Sequence, residues 1–141
     1  MLRKGNLLIT GLIFVAVSAF TVHVQDGLKE TMERGQKVYN ATCITCHQAD
    51  GGGAPPMNPP IIQTKWILGD KKELIRIVLK GLKGGEIEID GDSFHNPMPP
   101  LEKLLSDQQI ADVLTYVRKS FGNNATGVTP AEVKSVRVAL K

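Results

Sequence analysis

The chain has 141 residues, enough for one domain of ordinary size with terminal additions. Hydrophobic residues make up 42% and charged residues 22%, which excludes a disordered chain. The formal charge is +3 and no cluster of basic residues with interleaved aromatics occurs, so nucleic-acid binding is not expected. Aromatic residues are only 5%, and 14 glycines and 8 prolines indicate many loops. A large prosthetic group in the core, or a small and loosely packed domain, would account for both features.

The amino terminus has the pattern of a targeting segment. Arg3 and Lys4 precede the apolar run LLITGLIFVAVSAF at 7–20, which is shorter than the roughly 20 residues of a spanning helix. Residues 1–25 are therefore predicted to be a signal peptide or an uncleaved anchor, with residues 7–24 as the membrane tether in the second case. The expected location is the periplasm or the outer face of the cytoplasmic membrane. Removal of the segment leaves 15 basic against 14 acidic side chains, because Arg3 and Lys4 are its only charged residues.

Two amphipathic segments in the first part of the chain predict helices. Residues 28–42 place apolar side chains on one stripe. A second helix is expected near 71–80, where Asp70 and Glu73 form a capping-box pattern and Gly81 provides a stop.

Two more helices are predicted near the carboxyl terminus. Ser106 and Gln109 match a capping box that opens a helix over about 107–121, with Gly122 as its stop. Thr129, followed by a proline and a glutamate, is a further helix-start signal. Helices therefore dominate the predicted secondary structure.

The segments between these helices are rich in glycine and proline. QADGGGAPPMNPPI at 48–61 and SFHNPMPP at 93–100 are predicted to be irregular. EIEIDGD at 86–92 alternates apolar and polar residues up to Asp90-Gly91, which indicates a short extended stretch or a hairpin turn.

The heptapeptide ATCITCH at 41–47 holds both cysteines of the chain. A disulfide between Cys43 and Cys46 would close a very small loop and stabilise little. A redox dithiol of the thioredoxin type expects a preceding strand, whereas an amphipathic helix is predicted here. Zinc requires about four ligands, and the other two histidines have no suitable spacing. Haem attachment uses every member of the motif, since each thiol adds to a vinyl group and His47 reaches the iron.

The sequence resembles the class I c-type cytochromes, specifically the small single-haem bacterial type, over residues 30–121. The matching features are Gly35 and Tyr39, CITCH at 43–47, PPI at 59–61, GLKG at 81–84, NPMPP at 96–100 and the helix segment 106–123. The resemblance implies an all-α, loop-rich fold wrapped around one haem c that is covalently attached through Cys43 and Cys46. The cytochrome c domain would then span 26–122, followed by a C-terminal extension, 123–141, with a short helix. The first and last core helices would cross at Gly35.

The residues alone leave several candidates for the second iron ligand, namely Met32, Met57, Met98, His95 and His23. The resemblance places Met98 opposite His47, with His95 as the alternative. It also implies that the carbonyl of Pro59 accepts a hydrogen bond from His47 and so fixes its ring. Trp66 is either a donor to a haem propionate or an ordinary buried tryptophan.

The resemblance implies a one-electron carrier rather than an enzyme, because an iron bound on both sides has no open position. Its partners would be redox proteins such as a dehydrogenase, a reductase or a terminal oxidase. A first alternative is a cytochrome subunit tightly bound to a dehydrogenase or reductase complex. A second is a haem sensor or enzyme with five-coordinate iron, which requires that Met98 does not bind.

Overall fold

The structure is a computed structural model that describes residues 27–85 and 87–141. The predicted signal peptide or anchor at 1–25 therefore lies outside the described residues. The chain divides into two units, 1–30 and 31–141, and the fold below is that of the second unit, together with residues 27–30 at the start of its first helix. Within the described ranges, no helix is both long and apolar enough to cross a membrane.

Helices account for most of the regular structure. In chain order the elements are α1 (27–42), α2 (Ile44–His47), α3 (Lys65–Leu68), α4 (Lys71–Lys80), β1 (Ile87–Ile89), β2 (Asp92–Phe94), α5 (Asp107–Lys119) and α6 (Pro130–Ala139). The expected helical fold is thus confirmed. The helices α2 and α3 were not predicted, because four residues are too few to show a helical period.

The start and stop signals of α4 are only partly as predicted. The Asp70 side chain accepts a hydrogen bond from the Lys72 N–H at 2.6 Å, so it caps the helix. The predicted capping box is nevertheless wrong, because the Glu73 carboxylate binds the Arg76 guanidinium at 2.7 and 2.9 Å instead. Gly81 ends the helix with φ 72°, a left-handed conformation that favours glycine.

The capping box predicted for α5 is present, with reciprocal hydrogen bonds between Ser106 and Gln109. The helix ends at Lys119, two residues earlier than predicted. The reason is that Phe121 and Gly122 both have positive φ, 56° and 76°, which breaks the helical backbone before the predicted glycine stop.

Residues 87–94 form an antiparallel hairpin, in line with the alternation noted for this part of the sequence. Ile87 pairs with Phe94 and Ile89 with Asp92. Asp90 and Gly91 make the turn with φ of 54° and 90°, both in the range of a type I′ turn. Ile87 and Phe94 are buried, so one side of the hairpin packs inward.

The helices α1 and α5 cross where Gly35 lacks a side chain. A Cβ added at Gly35 would collide with the Asp112 carbonyl oxygen and lie 2.6 Å from the Tyr116 Cβ. Next to the crossing, the Arg34 guanidinium binds the buried Asp112 carboxylate at 2.7 and 3.0 Å. Tyr39 packs on Tyr116 with ring centroids 5.6 Å apart. The crossing is therefore fixed by both contact and charge.

The extension 123–141 packs against the helices that precede it. The Val133 side chain of α6 is fully buried. Thr115 of α5 exchanges hydrogen bonds of 2.9 and 3.1 Å with the backbone of Val128. Arg137 binds the Asp107 carboxylate at 2.7 Å, and the extension thereby covers one face of α5.

Candidate cofactor site

An apolar cleft opens between the helices and the loops that connect them. It has an empty volume of about 750 Å³, including open solvent, and its apolar lining includes Ile61, Ile67, Leu74, Val78, Leu101, Val113, Leu114 and Val117. A neighbouring cavity of about 740 Å³ shares Cys43, His47, Pro59 and Met98 with it, so the two are parts of one site. Water is a poor occupant of an apolar cavity, and the lining therefore suits a large apolar ligand.

The turn from α1 into α2 presents the cysteine motif to this cleft. The Cys43 N–H donates to the Tyr39 carbonyl at 2.8 Å, and the His47 N–H donates to the Cys43 carbonyl at 2.9 Å. Both thiols are free, Cys43 half-buried and Cys46 exposed. Burial raises the pKa of the Cys43 thiol. One helical turn thus places two thiols and an imidazole on the lining of the same cavity.

His47 is held by the loop that follows the motif. Its Nδ1 lies 3.1 Å from the Pro59 carbonyl oxygen, so the ring N–H donates there and Nε2 is left to bind a metal ion. Burial lowers the pKa of the His47 imidazole, which favours the neutral form that metals bind. Gly53 permits this arrangement, because a Cβ there would lie 2.6 Å from the Pro59 oxygen.

Met98 lines both parts of the cleft and reaches it from a distant segment. Its backbone forms an isolated antiparallel bridge with Leu82, with hydrogen bonds of 2.9 and 3.0 Å. Gly81 makes the approach possible, since a Cβ there would lie 2.9 Å from the Pro100 nitrogen. The segments GLKG and NPMPP therefore position Met98 together.

The other candidate ligands in the described residues lie away from the cleft lining. Met57 is exposed, and His95 is exposed with its backbone N–H bound to the Pro56 carbonyl at 3.2 Å. Met32 is half-buried on α1 and does not line the cleft. His23 lies outside the described residues.

Trp66 contributes a buried hydrogen-bond donor to the cleft lining. Its indole Nε1 has no hydrogen-bond partner within the described part of the chain. A buried donor without an acceptor costs about 1–3 kcal/mol, which a ligand with an acidic substituent would relieve. The donor set and the apolar lining therefore fit a haem, whose propionates are such substituents.

Sequence reasoning missed that the hairpin forms part of the cleft wall. Ile87 and Ile89 both line it. They lie two residues apart on one side of β1, and that alternation could have identified an inward face. The partner of that face could not have been identified from the sequence, because the cleft is built from distant segments.

Comparison with known proteins places this geometry in a family. The sequence model described as cytochrome c matches residues 32–121. Cytochrome c-552 of Thermus thermophilus is 34% identical over 120 residues, which cover 79% of each chain.

Several other similar proteins are subunits of dehydrogenases. The cytochrome c subunit of the quinone alcohol dehydrogenase of Gluconacetobacter polyoxogenes is 35% identical over 105 residues. The gluconate 2-dehydrogenase cytochrome c subunit of Pantoea cypripedii is 35% identical over 108 residues. These matches cover 73% and 74% of this chain but only 22% and 24% of the two subunits, so the chain spans about a quarter of their length or less. With its CxxCH motif, its apolar cleft and the family match, the chain belongs to the cytochrome c family as a class I c-type cytochrome with haem c as its cofactor.

Proposed function

We propose that the protein is an exported mono-haem cytochrome that carries one electron at a time between redox proteins. The observation that carries the proposal is that His47 and Met98, 51 positions apart in sequence, line the same apolar cleft. Haem c supplies the one-electron couple when bound. The protein would supply the attachment, the iron ligands and the exclusion of water.

Each of these roles belongs to a particular residue. Cys43 and Cys46 would hold the cofactor through two thioether bonds, one from each thiol. His47 would bind iron through Nε2 while its Nδ1–H donates to the Pro59 carbonyl, which fixes the plane of the ring. Met98 would provide the second ligand, a thioether that favours the reduced state and raises the potential.

Binding of iron by both His47 and Met98 would leave it no open position for a substrate. The chemistry supplied by the bound cofactor would then be electron exchange with a docked redox protein. This argument supports a carrier over an enzyme or a gas sensor. It depends on the bond from Met98.

Substitution of Met98 tests the proposal directly. The oxidised wild type should show the weak near-infrared band of methionine–iron ligation, and its reduced form should bind carbon monoxide poorly. Met98→Ala should lose the band and bind carbon monoxide readily. Met57→Ala is the matched control, because Met57 is 44% exposed and should leave both properties unchanged. Retention of the band in Met98→Ala would refute the ligand assignment, and ready binding of carbon monoxide by the wild type would favour the five-coordinate alternative.

The similarity to dehydrogenase subunits supports a second candidate, a cytochrome tightly bound to a dehydrogenase or reductase complex. The match to 79% of the Thermus cytochrome c-552 supports the free carrier instead. Purification from the native cells under mild conditions separates the two candidates. Recovery as a monomer favours the carrier, whereas constant co-purification with a dehydrogenase favours the subunit.

The proposed location is the periplasm or the outer face of the cytoplasmic membrane. It rests on the apolar run at 7–20 and on the need for export before covalent haem attachment. Fractionation of cells that express the full chain tests it, and a haem-loaded protein in the cytoplasmic fraction would refute it. Release by salt or osmotic shock distinguishes a cleaved leader from a tether at 7–24.

A further inference from the structure

A buried arginine lies behind the cleft wall and has no role in either proposed function. Arg118 lies on α5 and is only 3% exposed to solvent. Its guanidinium donates to the carbonyl oxygens of Thr126 at 2.7 Å, of Gly69 at 3.2 Å and of Ile67. It therefore connects α5, the end of α3 and the C-terminal extension.

Two residues that contact or adjoin Arg118 line the cleft, although Arg118 itself does not. Ile67, whose carbonyl accepts a hydrogen bond from Arg118, lines the cleft with its side chain. Val117, the neighbour of Arg118 on α5, lines the same cleft. The charge thus lies next to two residues of the apolar wall that would face the cofactor.

No carboxylate forms an ion pair with Arg118 within the described part of the chain. The carboxylate that attracts it, Glu132, is bound by Lys71 at 2.5 Å. The three acceptors are neutral carbonyls, which solvate the guanidinium but do not cancel its charge. Burial lowers the pKa of Arg118, yet a guanidinium stays protonated over the pH range in which the protein functions. One full positive charge therefore remains in the interior.

We propose that Arg118 raises the reduction potential of the haem by stabilising the reduced state electrostatically. This inference rests on the proposed function, because it requires a reversible haem couple in the cleft. Reduction adds one electron and no bond changes, so a fixed positive charge nearby favours the reduced state through Coulomb attraction. Because the charge is buried, dissolved salt screens it much less than it screens a surface lysine.

Arg118 also has a structural role, since its removal takes a donor from three backbone carbonyls, one of them buried. A loss of stability alone would therefore say nothing about the potential. The test must therefore compare a variant that loses both the charge and the hydrogen bonds with one that loses the hydrogen bonds but keeps the charge. The potential of each is measured by redox titration.

The test compares Arg118→Gln, which removes the charge, with Arg118→Lys, which keeps it but loses the fork of donors. We expect a lower potential in Arg118→Gln that persists at high salt, and a potential close to the wild-type value in Arg118→Lys. Lys119→Gln is the matched control, because Lys119 is the exposed neighbour with the same charge. Lys119→Gln should lower the potential less than Arg118→Gln does, and this smaller shift should disappear at high salt. Equal potentials in wild type and Arg118→Gln, or equal shifts in the Gln and Lys variants, would overturn the inference.

A second pair of variants covers the case in which Arg118→Gln does not fold. Thr126 and Asn124 are both exposed on the loop after α5, and the Thr126 backbone contacts the guanidinium. Thr126→Asp should place a counter-charge beside Arg118 and lower the potential more than Asn124→Asp does. Equal shifts of the potential in the two variants would overturn the inference. The proposed function would still stand if the wild type has a reversible haem couple. A wild type without a reversible haem couple would overturn both.

Discussion

The two faces of α5 differ in what completes their packing. Val113, Leu114 and Val117 face the cleft, where the surrounding side chains leave a large apolar space. Thr115 and Asp107 face the extension and bind its residues through hydrogen bonds and an ion pair. Haem c would complete the packing of the cleft face, whereas side chains of the protein complete the packing of the extension face.

This difference explains how a chain with so few aromatic residues can fill its core. A chain with 5% aromatics would fill a helical core poorly if all of its volume came from side chains. The cofactor replaces that volume on one face of α5, and α6 covers the other face with small aliphatic side chains. Damage to the two faces should therefore have different consequences.

The largest loss of stability is expected from substitutions on the cleft face. Cys43→Ala combined with Cys46→Ala should abolish covalent haem attachment and lower the free energy of unfolding by more than about 4 kcal/mol, because the apolar cleft loses its filler. Haem staining of denatured protein and denaturant titration measure the two effects. Thr45→Ala, an exposed change between the cysteines, is the control.

Hydrogen exchange on the double variant sharpens the comparison. Amides near Leu82 and Met98 should lose more protection than those of α6, because only the former depend on the cleft being filled. Equal loss in both regions would show that the extension also depends on the cofactor.

A smaller effect is expected on the extension face. Val133→Ala removes two methyl groups from a fully buried position and should cost about 2 kcal/mol of unfolding free energy. The haem spectrum should stay unchanged. Val138→Ala is the control on the same helix, because Val138 is 60% exposed and its truncation should cost less than about 0.5 kcal/mol. A shifted haem spectrum in Val133→Ala would contradict the independence of the two faces.

The smallest effect concerns the ion pair between α4 and α6. Glu132→Gln preserves the helix cap of Thr129 but removes the pairing with Lys71, and should cost less than about 1 kcal/mol because the pair is partly exposed. The hydrogen bond from Lys71 lowers the pKa of the Glu132 carboxyl. The stabilisation is therefore full above the ordinary glutamate pKa and is lost as the pH falls through the lowered one.

Denaturant titrations of wild type and Glu132→Gln over an acid-to-neutral pH series measure this dependence. The difference in unfolding free energy should shrink toward acid pH and also at high salt. A difference that grows on acidification would mean that the carboxylate is not stabilised by Lys71.

Local signals in the sequence predicted most of the helices. The cap of α5 at Ser106 and the helix start at Thr129 depend on side chains within three residues of each other. The motif with Cys43, Cys46 and His47 stood out for the same reason, since its chemistry is contained in five consecutive residues. The errors at Glu73 and at the end of α5 arose where a competing contact or a left-handed residue replaced the expected local pattern.

The sequence by itself thus determined the four longer helices, the hairpin turn and the attachment motif, because these depend on neighbours along the chain. Only the tertiary structure decided which loops meet. It joined Leu82 to Met98 and placed Pro59 against His47. It also decided that Arg118 lies buried behind the cleft, beside carbonyls 49 and 51 positions away. No local pattern encodes such contacts, because they arise only when distant segments close around a common apolar space.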